Sequence, residues 1–115
     1  MTSTIEVMPD SMLTSEQQVE KWCAQLITSL QFDYDSQYPK GRVKFYLTTG
    51  RKYHKIIEQN GGVHAFVNKK TGEVFKPASY NSPAKGVRYD MRLINERNML
   101  LSQADWAGSY LYLRG

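Results

Sequence analysis

Cysteine is nearly missing from this 115-residue sequence, with Cys23 as its one thiol. A lone thiol forms no internal disulfide, so the small secreted scaffolds held together by paired cysteines are excluded and a reducing, cytoplasmic setting is expected. Long apolar runs are missing too. No stretch approaches the ~18 residues that span a bilayer, and the start Met1-Thr-Ser-Thr-Ile-Glu-Val lacks the basic flank and apolar core of an export signal. No membrane partner is expected. The sequence also lacks a glycine-rich phosphate loop, a zinc knuckle, a nucleophile elbow and a paired-carboxylate signature, so the chain reads as non-enzymatic, without metal or cofactor.

What is present, 41% hydrophobic, 12% aromatic and 23% charged residues, fits one ordinary globular domain, and 115 residues leave no room for a second core. The net charge of +4 conceals an asymmetry. Residues 1–39 carry one basic residue against six acidic ones, a net of −5, whereas residues 40–115 carry fourteen against five, a net of +9. Two readings fit this split: an acidic helix neutralised by a basic sheet, or a basic face that meets a polyanion.

Residues 1–13 read as a loose arm and residues 14–115 as a single α+β domain. Thr14 and Gln17 have the spacing of a capping box, and Val19, Trp22, Cys23, Leu26, Ile27 and Leu30 follow on one helical stripe. The segment Phe32-Asp-Tyr-Asp-Ser-Gln-Tyr-Pro-Lys-Gly41 has loop composition. The period then becomes two: residues 42–49, 52–59, 63–67 and 73–76 read as strands, with Gly72 supplying the left-handed residue of the last hairpin. Pro77, Pro83 and Gly86 make residues 76–89 an extended connection, residues 95–103 a short helix, and residues 109–113 a final aromatic strand. The expected architecture is an N-terminal amphipathic helix on a small, strongly bent antiparallel sheet, an Sm-like or SH3-like half-open barrel.

Three groups of residues are candidates for chemistry. His54 and His64 fall on neighbouring strands, opposite or diagonal if the turn centres near residue 59 or 60, with Glu58 as the local carboxylate that a metal would need. Cys23 sits on the apolar stripe, where a thiol behaves as a small hydrophobe. The strongest feature is a mixture of cations and flat rings: Lys69 and Lys70 at a hairpin tip, then Lys76, Tyr80, Lys85, Arg88, Tyr89 and Arg92. Nucleic acid calls for that mixture, because cations neutralise phosphates while rings, here Tyr80 and Tyr89, stack on bases.

The run Val63-His-Ala-Phe-Val-Asn-Lys-Lys-Thr-Gly-Glu-Val-Phe-Lys-Pro-Ala-Ser-Tyr80, continued by Pro83-Ala-Lys-Gly-Val-Arg-Tyr89, resembles a motif in small uncharacterised proteins of tailed phages of marine cyanobacteria. That resemblance implies a viral or marine-metagenomic origin and residence inside a host cell. A leading helix before a bent sheet is similar to the Sm-like RNA-binding family, and Leu113-Arg114-Gly115 is similar to the aliphatic-Arg-Gly of its second motif. The function expected is a nucleic-acid-binding module for RNA or DNA. The alternative is a phage structural or accessory protein that binds another protein and forms a homo-oligomer through its sheet edge.

Overall fold

The computed structural model describes Pro9 and residues 12–112. Helix α1 spans Ser15–Gln37 and opens with the capping box read from the sequence. Thr14 Oγ1 accepts from the Gln17 amide at 3.1 Å, and Gln17 Oε1 accepts from the Thr14 amide at 2.9 Å. Two donors that the helix cannot satisfy internally are thereby closed. Burial already begins at Leu13; most of the expected arm lies outside the described residues.

The expected loop at residues 32–41 is corrected: α1 runs on to Gln37. Tyr34 extends the buried stripe one turn past Leu30, with its ring 5.4 Å from Trp106 and 6.5 Å from Phe45. Asp33 accepts the Trp106 amide at 2.9 Å, so tertiary contacts outweigh the weak helix propensity of the Asp and Tyr run. Pro39 then disfavours helical backbone at Tyr38 and ends the element.

Strands β1 (Phe45–Thr49), β2 (Tyr53–Glu58), β3 (Gly62–Asn68), β4 (Glu73–Phe75) and β5 (Tyr89–Asp90) form an antiparallel meander in the order β1-β2-β3-β4-β5. The sheet is not closed into a barrel. Its inner face meets α1: Val19, Cys23, Leu26 and Leu30 pack with Phe45, Ile56, Ala65, Val67, Val74 and Tyr89 in one buried cluster. Burying each large side chain of this set contributes about 1.5–3 kcal/mol.

Helix α2 (Ile94–Gln103) follows, and Arg97 ties it to α1 with its guanidinium 4.3 Å from the Trp22 ring centroid. The expected strand at 109–113 is corrected to a short helix, α3 (Ser109–Tyr112). Asp105 dictates the turn, because its carboxylate accepts from the amides of Gly108 and Ser109 and from the Ser109 hydroxyl. Residues 113–115, with the Arg-Gly pair, lie outside the described residues. Among the described residues, no helix is long and apolar enough to cross a membrane.

Candidate nucleic-acid interface

Two connections meet at one end of the sheet, the β1–β2 turn and the β3–β4 turn. Gly50 N–H donates to the Tyr53 carbonyl at 2.9 Å, which closes the first turn and places Arg51 and Lys52 at its tip. In the second, Asn68 Oδ1 accepts from the amides of Lys70 and Thr71 at 2.9 and 3.1 Å, and Gly72 adopts the positive φ (74°) expected of it. The Lys69 amide donates to the Lys52 carbonyl at 3.0 Å, and its ammonium donates to the Gly50 carbonyl at 3.1 Å. One turn is thus fastened to the other.

Between them lies a cleft of about 460 Å3 lined by Arg51, Lys52, Asn68, Lys69, Lys70 and Thr71. Four of these six side chains are cationic. Arg92 lies beside the same turn, where a methyl group added at Gly72 would be 3.3 Å from its Cγ, but it does not line the cleft and its charge is countered by Asp90, 3.7 Å from its Nε. Cations held this close on a rigid pair of turns make a local positive potential that attracts phosphate.

Of the residues singled out from the sequence, Lys69, Lys70 and Arg92 gather at this end. Lys76, Tyr80 and Lys85 do not: the Lys76 ammonium lies 4.7 Å from the Tyr112 ring centroid, Tyr80 covers Lys55 at 4.6 Å, and Lys85 is exposed on the 76–88 connection. Arg88 is half-buried, its amide donating to the Val74 carbonyl at 2.7 Å. Tyr89 is corrected from a stacking residue to a core residue. It is 0% exposed, and its hydroxyl lies 3.1 Å from Gln103 Oε1 and 3.2 Å from the Tyr110 carbonyl oxygen. No base can reach that ring. Sequence reading missed Arg51 and Lys52, although the dibasic pair after Gly50 was visible; only the strand pairing brings it beside Lys69 and Lys70.

The histidine pair separates. A register shift between Ile56 and Ile57 pairs Ile56 with Ala65 and Ile57 with Val63, leaving His64 as the extra residue of a bulge. His54 faces Val67 instead, three positions along β3 from His64, roughly 10 Å by strand rise. Each ring has its own partner: Thr49 Oγ1 is 2.8 Å from His54 Nδ1, and the Tyr110 hydroxyl is 2.7 Å from His64 Nε2. Among the described residues, no three His, Cys, Asp or Glu side chains are grouped to hold a metal ion. Burial pulls the His64 pKa down to about 4, against a smaller opposing pull from Asp105. Burial also lowers that of His54, helped by Lys69 and opposed by Glu16. Cys23 is fully buried, and burial with the nearby Glu20 pushes its thiol up to about 12, so the nucleophilic thiolate is suppressed.

A family model described as a family of unknown function, DUF7717, matches residues 6–113. The chain belongs to that family. Searches of curated proteins and of solved structures found no match. The matched span takes in α1, the whole sheet and both basic turns of this DUF7717 domain.

Proposed function

We propose that this DUF7717 domain is a nucleic-acid-binding module that takes phosphates at the basic end of its sheet. The observation that carries the reading is the convergence of Arg51, Lys52, Lys69 and Lys70 on one cleft, from turns that lie 17 residues or more apart in the sequence. Among the described acids of α1, Glu16 lies close enough to act on His54 together with Lys69, whereas Asp33 and Asp35 at the far end of the helix are engaged elsewhere. Asp33 accepts from the Trp106 amide and the Gln37 side chain, and Asp35 from the Gln31 side chain, all neutral donors. The packing of α1 on the sheet is apolar. A positive surface of this kind binds polyanions with strong dependence on salt.

The competing reading, strand addition at a sheet edge to form a homo-oligomer or hold a protein, has less support. Gln31 already occupies part of the β1 edge, donating to the Val43 carbonyl at 3.0 Å and accepting the Phe45 amide at 3.0 Å. Fluorescence anisotropy with labelled oligonucleotides tests the choice. The double variant Arg51→Ala/Lys70→Ala should bind at least about 10-fold more weakly than the parent, since two phosphate contacts go, while Lys85→Ala should bind within about 2-fold of it. Equal losses in both variants would remove the cleft as the site.

A further inference from the structure

The outer face of the sheet, turned away from α1, continues directly from the basic cleft. Lys52 lines the cleft, and its ammonium lies 5.4 Å from the Tyr53 ring centroid. Tyr53 in turn packs edge-on against Phe66 and Phe75, at 5.7 and 6.1 Å. Further along β2, the Lys55 ammonium sits between the Phe66 ring at 5.6 Å and the Tyr80 ring at 4.6 Å. Tyr80 remains 57% exposed with that ammonium against it, and Tyr46, on the outer face of β1 opposite Ile57, is 44% exposed. Charge and ring alternate along this track, which covers roughly 17 Å from residue 52 to residue 57.

We propose that the ligand is a single-stranded nucleic acid, its phosphates entering the cleft and its bases lying on the tyrosines of this outer face. The proposal rests on the nucleic-acid reading of the cleft and narrows it. Two observations favour a single strand over a duplex. Exposed rings offer stacking surface, which only unpaired bases can use, because the faces of paired bases are covered by their neighbours in the duplex. Lysines placed beside those rings neutralise a backbone that follows the sheet surface, and no described helix of the domain carries a matching basic stripe for a duplex groove: α2 has Arg97 alone, and that guanidinium is spent on Trp22. Tyr80 is again the residue proposed to stack, and the exposed Tyr46 takes the place of the buried Tyr89, while the half-buried Tyr53 supports the track from beneath through Phe66 and Phe75.

The test compares fluorescein-labelled dT12 and rU12 with a 12-base-pair DNA duplex, at one salt concentration, by anisotropy. At least one single strand should bind about 10-fold or more tightly than the duplex. Tyr80→Ala should weaken single-strand binding roughly 5- to 100-fold, the range for loss of one stacked base, and Tyr80→Phe should restore it. The side chain is exposed, so circular dichroism and melting of the variant should match the parent. Duplex binding as tight as single-strand binding, or a Tyr80→Ala variant that binds unchanged, overturns the proposal; if Arg51→Ala/Lys70→Ala still weakens binding, the cleft reading survives it. Absence of binding to all three probes overturns both.

Discussion

The Lys69 ammonium donates to the carbonyl of Gly50, 3.1 Å away, and so fastens the β3–β4 turn to the β1–β2 turn. Lys69 and Lys70 are adjacent and alike in the sequence, yet their situations differ: Lys69 is half-buried and bonded to backbone, while Lys70 is exposed at the cleft rim. Lys70→Ala should therefore weaken oligonucleotide binding several-fold and leave unfolding free energy within about 0.5 kcal/mol of the parent. Lys69→Ala should lower both, with a stability loss of about 1 kcal/mol as the two turns part. Urea titrations beside binding curves separate the two effects. A Lys70→Ala protein that binds like the parent would contradict the account.

His64 gives the fold a defined response to acid. Its folded pKa, near 4, lies below the ordinary value of 6.5, so the unfolded chain takes up the proton first as pH falls. The stability that His64 contributes is complete above pH 6.5 and is lost progressively between 6.5 and 4. From pH 7.5 to 5.0 the loss should be about 2 kcal/mol, and His54, lowered in the same direction, adds to it. Replacing the ring with an uncharged one, His64→Phe, should flatten the dependence, although removing the partner of Tyr110 costs stability at every pH. Denaturant midpoints that stay constant from pH 7.5 to 5.0 in the parent would show that His64 is not buried as described.

Gln31 mimics a sixth strand. Its amide group meets both a carbonyl and an amide of the β1 edge, so Gln31→Ala leaves two half-buried backbone groups without that partner and should destabilise the domain by about 1–2 kcal/mol. The uncovered edge should also promote self-association, seen as concentration-dependent mass in light scattering. A variant as stable and as monodisperse as the parent would mean that the edge needs no cover.

Local signals in the sequence located the elements that local physics fixes. Thr14 and Gln17 mark the start of α1, the alternation of Val43, Phe45 and Leu47 marks the inner face of β1, and Gly72 marks the one residue of its turn that needs a positive φ. The failures share a cause in long-range contact. Phe32 to Gln37 look like loop until Trp106 and Phe45 pack on Tyr34, and residues 109–112, which alternate like a strand, are capped into a helix by Asp105. The bulge at His64 separates a histidine pair that a regular register would have kept close, because one extra residue redirects everything beyond it. The site was half legible. Lys69 and Lys70 were readable as a charged tip, but Arg51 and Lys52 join them only through the β2–β3 pairing, and nothing in the spacing of Tyr89 announced its burial.

Phosphate binding at the basic end of the sheet makes single-strand binding by the unmodified protein strongly dependent on salt. With the four cations of the cleft each neutralising one phosphate, the logarithm of the affinity should fall linearly against the logarithm of salt concentration with a slope of about −3, or about 50-fold between 50 and 200 mM. Affinity that changes less than about 3-fold over that range, or no binding at micromolar protein in the lower salt, would contradict phosphate binding at this end of the sheet.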